Sequence, residues 1–191
     1  MKLVIYDTEI CHGIVTENNP AQPGYKYAEG WHDFAGMGIS TLCAFDMHEN
    51  RYRVFMADNF SQWESLIDER TAVVGFNNYS FDDRLLEANG ITFGLQSIDL
   101  AALIWRAAGI PQGEHPKGFG LDAICLANKL PGKTGSAASA PQDYQDGYIG
   151  RVIDYCLGDV RSTLYLYRYI VQNGGVKDPR TGQWINVRVP A

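Results

Sequence analysis

Two carboxylates near the amino terminus have the spacing of metal ligands. Asp7 and Glu9 are two residues apart in the apolar, β-branched run that begins at Lys2. Side chains two apart on a β-strand project to the same face, so both carboxylates can approach one cation. Close carboxylates raise one another's pKa and destabilise a fold unless a cation neutralises them. The pair therefore predicts a metal site at the end of a strand.

Two later segments supply further acids from helices. Asp82 follows the turn-forming residues Asn78 and Ser80, and Ser80 is predicted to cap a helix that starts there. Tyr155 and Asp159 are four residues apart in a strongly helical stretch, so the phenol and the carboxylate share one helix face. The predicted metal ligands are four carboxylates: Asp7, Glu9, Asp82 and Asp159.

The ligand types indicate which cation would bind. All four are hard oxygen donors, and we expect no His or Cys beside them, which favours Mg²⁺ or Mn²⁺ over Zn²⁺. Asp83 is an alternative to Asp82. We prefer Asp82 because Phe81 and Leu85 give it the apolar neighbours that anchor a helix. Asp99 is a further acid, for which a helix-start role is the simpler interpretation.

The composition limits the class of protein. The 191 residues are 46% hydrophobic and 20% charged, which is typical of one globular domain spanning residues 1–191. The net charge of −6 argues against a broad basic surface for duplex nucleic acid but leaves room for a local groove. The four cysteines contain no Cys-x-x-Cys pair, and the amino terminus lacks the apolar run of a signal peptide. We therefore expect a reduced, cytoplasmic protein without a membrane segment.

Local patterns predict alternating strands and helices. Predicted strands cover residues 2–10, 38–45, 52–56 and 71–76. Predicted helices cover residues 81–88, 98–108, 121–127 and 147–171, and another begins at Asn59 or Ser61. This order indicates a mixed sheet with parallel pairing beside a hairpin. The remaining segments are predicted as a long loop at 11–37, an exposed loop at 129–141 and a strand-like extension at 176–191.

Together, the three acidic segments resemble the motifs of a known family. They read Asp-x-Glu from Asp7, Asn-x-x-Phe-Asp from Asn78 and Tyr-x-x-x-Asp from Tyr155. These are similar to the three motifs of the DEDD, or DnaQ-like, 3′-to-5′ exonucleases. The tyrosine identifies the branch that includes the proofreading domains of family B DNA polymerases. The resemblance covers most of the chain, from Asp7 to about Tyr165.

The resemblance implies an α/β, RNase H-like fold with a five-stranded mixed sheet in the order 3-2-1-4-5, flanked by helices. It also implies that the four carboxylates hold two divalent cations, Mg or Mn, an arrangement suited to phosphodiester hydrolysis. In that arrangement Tyr155 orients the attacking water, and Thr8, Asn78 and Phe81 contact the substrate. Holding its own turn remains the alternative role for Asn78.

The activity implied by this resemblance is metal-dependent 3′-to-5′ exonucleolysis of single-stranded nucleic acid ends. DNA is the favoured substrate and RNA is the other. The resemblance leaves two settings open, a protein that works alone and one that works within a replication or repair assembly. Phe81, Tyr79 and the aromatic residues of the 25–34 segment are candidates for stacking on bases, and packing in the core or the loop is their alternative role. Two alternatives are a nucleic-acid-binding module without turnover and an RNase H-like endonuclease, because a fold does not fix the position of the cut.

Overall fold

The computed structural model of the chain describes residues 2–132 and 139–190. Strands and helices follow one another in this order: β1 (Leu3–Ile10), β2 (Gly13–Ile14), β3 (Tyr27–Ala28), α1 (Phe34–Met37), β4 (Ile39–Asp46), β5 (Arg51–Phe55), α2 (Phe60–Asp68), β6 (Ala72–Gly75), α3 (Asp82–Ala88), β7 (Gln96–Asp99), α4 (Leu100–Ala107), α5 (Leu121–Ala127), α6 (Ala140–Gln145), α7 (Ile149–Asn173), β8 (Gly175–Lys177) and β9 (Trp184–Asn186).

The central sheet is mixed and has five strands. They lie in the order β5-β4-β1-β6-β7, antiparallel on the β4 side of β1 and parallel on its β6 side. The predicted order was numbered 3-2-1-4-5. The observed strand numbers differ from it because they also count the short strands β2 and β3, which form a separate sheet. Numbered within the central sheet alone, the five strands lie 3-2-1-4-5. Helix α3 supplies the crossover that the parallel pair β6 and β7 requires.

Strand β1 is buried on both faces because helices cover both sides of this sheet. Leu3 and Ile5 belong to the core that includes residues of α4, α5 and α7, whereas Val4 and Tyr6 belong to the core that includes residues of α1, α2 and α3. Side chains alternate along a strand, so the two predicted carboxylates of β1 fall on the α7 side. Thr8, between them, falls on the α3 side.

Helix α7 covers the acidic side of the sheet. It packs against β1 and β4 and buries Val152, Cys156 and Val160. Apolar residues at helical spacing predicted this helix over 147–171, and the observed helix covers 149–173. It ends at Gly174, whose φ of 75° lies in the left-handed region that favours glycine.

The helix predicted over 98–108 is wrong at its beginning. Gln96–Asp99 form strand β7, and helix α4 starts at Leu100. Ile98 pairs with Val74 of β6, so strand pairing decides a segment whose local pattern also fits a helix. The helix-start role of Asp99 is confirmed, because its carboxylate accepts a hydrogen bond from the Ala102 backbone N–H.

The segment 11–37, predicted as a long loop, is partly regular. Strands β2 and β3 pair in parallel, and α1 buries Phe34 and Met37 in the core on the α3 side. Gln145 of α6 connects the segment to the rest of the domain through hydrogen bonds. Its amide donates to the Cys11 carbonyl at 3.0 Å and accepts from the Lys26 backbone N–H at 2.8 Å. The segment is therefore part of the fold.

The strand-like extension predicted at 176–191 contains β9, which pairs with β8 in a separate hairpin. Two smaller predictions differ from the structure. Ser80 does not occupy the cap position of the helix after it, since α3 starts at Asp82 and Phe81 precedes it. Helix α6 begins at Ala140 inside the loop predicted at 129–141, and residues 133–138 of that loop lie outside the described residues. In the described part of the chain, no helix combines the length and the apolar character that crossing a bilayer demands.

Candidate active site

The end of β1 gathers three potential ligand atoms. A carboxylate oxygen of Asp7, a carboxylate oxygen of Glu9 and the Sγ atom of Cys156 all lie within 4.8 Å of one another. Asp7 is half-buried and Glu9 is buried, in register with Cys43 and Thr41 of the neighbouring strand β4. The predicted approach of the two β1 carboxylates is therefore present in the fold.

Cys156 was not expected at this site, and its presence corrects the prediction that no cysteine would accompany the acids. It lies three residues before Asp159 on α7, and residues three apart share a helix face. This spacing was the signal in the sequence that could have identified it. Its thiol donates to the Asp7 backbone carbonyl at 3.4 Å and to Asp7 Oδ2 at 3.6 Å.

The thiol of Cys156 is a hydrogen-bond donor in this environment. Burial raises its pKa well above the ordinary value, and the neighbouring Cys43 thiol and the charges of Asp7 and Glu9 raise it further. The hydrogen bond from this thiol supports the Asp7 carboxylate. The carboxylate oxygens of Asp7 and Glu9 are the ligands of this group that match a hard divalent cation such as Mg²⁺ or Mn²⁺.

Asp82 reaches β1 from the opposite side of the sheet. Its Oδ1 accepts a hydrogen bond from the Thr8 backbone N–H at 3.0 Å and another from the Thr8 hydroxyl at 2.5 Å. Burial raises the pKa of Asp82 to about 7, the Thr8 hydrogen bonds oppose the rise, and the nearby charge of Asp83 adds to it. Asp82 is thus anchored to the residue between the two β1 carboxylates.

Asp83 belongs to a separate network on α3. It accepts hydrogen bonds from the Tyr6 hydroxyl, from the Ser97 hydroxyl at 2.8 Å and from the Asn78 amide at 3.3 Å. Asn78 is 0% exposed, and its amide also donates to Ser97 Oγ at 2.7 Å. These contacts match the alternative role predicted for Asn78, which is to hold its own turn in place. They also assign Asp83 a structural role, which leaves Asp82 as the acid directed to β1.

Asp159 and Tyr155 lie on α7 beside the same strand. Asp159 is buried one helical turn beyond Cys156, and Tyr155 is half-buried. Within the described residues, no group of three ligand atoms as close as the one at Asp7 includes Asp82 or Asp159. The structure therefore brings two of the four predicted ligands into one tight group. Of the other two, Asp82 contacts β1 through Thr8, and Asp159 lies on α7, which packs against β1.

An aromatic patch adjoins the start of α3. Phe81 makes edge-to-face contacts with Trp31, at a centroid distance of 6.4 Å, and with Phe34, at 5.9 Å. The guanidinium of Arg84 lies 4.5 Å from the centre of the Phe34 ring. Trp31 is 65% exposed, so the patch presents an aromatic ring to solvent beside a cationic side chain.

Comparison with known proteins gives a likeness of fold. No protein-family model matches the chain, and no curated protein matches it. Among solved structures, the family B DNA polymerase from the hyperthermophilic archaeon Pyrobaculum calidifontis is similar, with a TM-score of 0.63 and 16% sequence identity. The likeness is one of fold. It covers 90% of this chain but only 24% of the polymerase chain, so this chain corresponds to about a quarter of that protein. The five-stranded mixed sheet flanked by helices is compatible with an RNase H-like fold.

Proposed function

We propose that this chain is a metal-dependent 3′-to-5′ exonuclease of the tyrosine branch of the DEDD family. Its substrate is the 3′ end of single-stranded nucleic acid, with DNA favoured over RNA. The observation that carries the proposal is the convergence on β1, where Asp7 and Glu9 lie together and Thr8 between them binds Asp82. The fold likeness to a family B DNA polymerase supports it, since proofreading domains of that class carry the motifs found here.

In this proposal the four carboxylates hold two Mg²⁺ or Mn²⁺ ions. When bound, such ions offset the charge of the scissile phosphate and lower the pKa of a water molecule. The protein's own contribution is to hold the ligands in place. Cys156 fixes the orientation of Asp7, and Thr8 fixes that of Asp82. We assign the Tyr155 phenol to orienting the attacking water, because Tyr155 lies one helical turn from the metal ligand Asp159.

Substrate binding is assigned to the exposed Trp31 and the half-buried Phe81, which packs on the buried Phe34, together with Arg84. Exposed aromatic rings stack on unpaired bases without regard to sequence, and a nearby cation attracts the phosphate backbone. A local cationic group of this kind is compatible with the overall charge of −6. Single strands suit such a patch better than a duplex, whose bases are already stacked on one another.

The experiment uses 5′-labelled single-stranded oligonucleotides of matched DNA and RNA sequence, incubated with Mn²⁺ or with EDTA. We expect a ladder of products shortened from the 3′ end that disappears with EDTA. Asp7→Ala abolishes the ladder, whereas Asp58→Ala, at an exposed acid outside the site, leaves it unchanged. Internal cuts would identify an endonuclease, and binding without cleavage would identify a binding module. Either result overturns the proposal.

A further inference from the structure

A cavity lies beside the turn that leads to Asp82. It measures about 600 Å³ and is enclosed by the 77–80 turn, strand β7, helix α4 and the 110–115 loop. None of the five residues of the acidic site lines it: these are Asp7, Glu9, Asp82, Cys156 and Asp159. A cavity of this size accommodates a ligand as large as a nucleotide.

Two aromatic residues of the cavity wall are held in fixed positions. The Tyr79 hydroxyl donates to the Ser97 carbonyl at 2.6 Å, and the Trp105 indole N–H donates to the Phe119 carbonyl at 3.1 Å. Tyr79 is nevertheless 50% exposed, and the His115 ring lies edge-to-face against Trp105 at 5.6 Å. Rings whose polar atoms are already bonded offer apolar surface to a ligand, which suits a planar heterocycle.

One cation at the cavity is available for an anion. Arg106 is exposed in the last turn of α4, and it forms no ion pair with another residue in the described ranges. It is close enough to Tyr79 for its charge to oppose the rise in the Tyr79 pKa that burial and Asp99 cause. Asp99 itself is occupied by backbone N–H donors, which leaves Glu114 as the exposed carboxylate of the cavity wall.

We propose that this cavity binds one nucleotide unit. The base packs against Tyr79 and Trp105, and the phosphate lies at Arg106. The exposed amides of Gln96 and Gln112 also line the cavity, and each amide offers both a donor and an acceptor to the edge of a base. Arg106 adds a positive charge to a wall that carries aromatic rings, so a ligand that joins a flat ring to an anion matches this wall best. Binding here goes beyond the proposed nuclease and does not require cleavage.

Deoxyadenosine 5′-monophosphate is the probe, titrated calorimetrically into the full chain in EDTA so that the acidic site has no cation. We expect Arg106→Gln to weaken binding about tenfold or more through loss of the charged contact. Arg161→Gln is the matched control, since Arg161 is an exposed arginine of α7 away from the cavity. Asp7→Ala should bind the probe normally, which separates this proposal from the nuclease.

Two fragments of the probe test the division of the cavity into base and phosphate contacts. Deoxyadenosine and deoxyribose 5-phosphate should each bind at least about tenfold more weakly than the whole nucleotide. A 5′-phosphorylated tetranucleotide distinguishes the source of the ligand. Tighter binding than the mononucleotide places a strand in the cavity, and equal or weaker binding places a free nucleotide there. Absence of measurable binding, equal binding of deoxyribose 5-phosphate, or loss of binding in Asp7→Ala but not in Arg106→Gln would overturn the proposal.

Discussion

The thiol of Cys156 lies 3.6 Å from Oδ2 of Asp7 and 3.4 Å from its backbone carbonyl. These contacts join the helix that carries the third acidic segment to the strand that carries the first. Because α7 and β1 are far apart in the chain, the orientation of the Asp7 carboxylate depends on how the helix packs across the sheet. Cys156 is therefore a positioning residue in the proposed nuclease.

Replacing Cys156 with alanine should weaken metal-dependent cleavage more than it lowers the stability of the fold. Without the thiol donor, the Asp7 carboxylate can rotate away from the cation, and we expect the Mn²⁺ concentration for half-maximal cleavage to rise about tenfold. Cys156→Ser keeps a donor and should recover part of the loss. Cys125→Ala removes a different buried cysteine, which donates to the Ser162 carbonyl, and serves as the packing control. Equal metal requirements in Cys156→Ala and Cys125→Ala would contradict a positioning role.

Replacing Tyr155 with phenylalanine removes only the phenol oxygen. We expect the cleavage rate to fall about a hundredfold, because misplacement of the attacking water is costly, while Mn²⁺ affinity stays the same. Single-turnover cleavage and Mn²⁺ titration by electron paramagnetic resonance measure the two quantities separately. Tyr169→Phe, also on α7 and more than three turns further along, is the control. An unchanged single-turnover rate in Tyr155→Phe would contradict the proposal that the phenol orients the attacking water.

Thr8 is predicted from the family resemblance to contact the substrate, but its side chain is 4% exposed and bonded to Asp82. Thr8→Val keeps the shape and removes the hydroxyl donor, so we expect a loss of about 1–2 kcal/mol in the free energy of unfolding. Thr8→Ser should restore most of it. Urea unfolding in EDTA measures this effect. A higher KM for oligonucleotide with unchanged stability would instead favour direct substrate contact.

Asp46 and Arg70 form a buried ion pair outside the site. Arg70 Nη2 lies 2.6 Å from Oδ2 of Asp46, and Arg70 Nε lies 3.1 Å from its Oδ1. Burial by itself raises the Asp46 pKa, but hydrogen bonds from Arg70 and from the backbone of Glu49 and His48 bring it below the ordinary value. A lowered carboxylate pKa stabilises the fold above the unfolded-state pKa of about 3.9, and that stabilisation is lost as the pH falls through the folded-state pKa.

Asp46→Asn should therefore destabilise the protein by about 3–5 kcal/mol at neutral pH, because it removes the buried carboxylate charge that faces Arg70 and leaves only more exposed carboxylates near it. The difference from the unsubstituted protein should shrink as the pH is lowered below the folded-state pKa of Asp46. Glu69→Gln removes a second partner of Arg70 that is 75% exposed, and should cost less than about 1 kcal/mol. Denaturant unfolding across the acidic range checks both variants, and a pH-independent difference for Asp46→Asn would refute the assignment.

Much of the fold follows from local patterns in the sequence. The apolar run of β1, the helical spacing of α7 and the capping role of Asp99 were each predicted from neighbouring residues. Alternation along β1 also placed Asp7 and Glu9 on one face before any partner was known. Local rules succeed here because they depend on backbone geometry within a few residues. They failed at Gln96–Asp99, where pairing with β6 decided the conformation.

The arrangement around the acids was decided by tertiary structure. The sequence alone determined which carboxylates could face one side of a strand or helix, because that property has the period of the element. Only the packing of α7 on β1 brings Cys156 to Asp7, and only the packing of α3 brings Asp82 to Thr8. Such contacts depend on the offset between elements separated by dozens of residues. No local pattern encodes that offset, because it is set by the filling of the two cores on either side of the sheet.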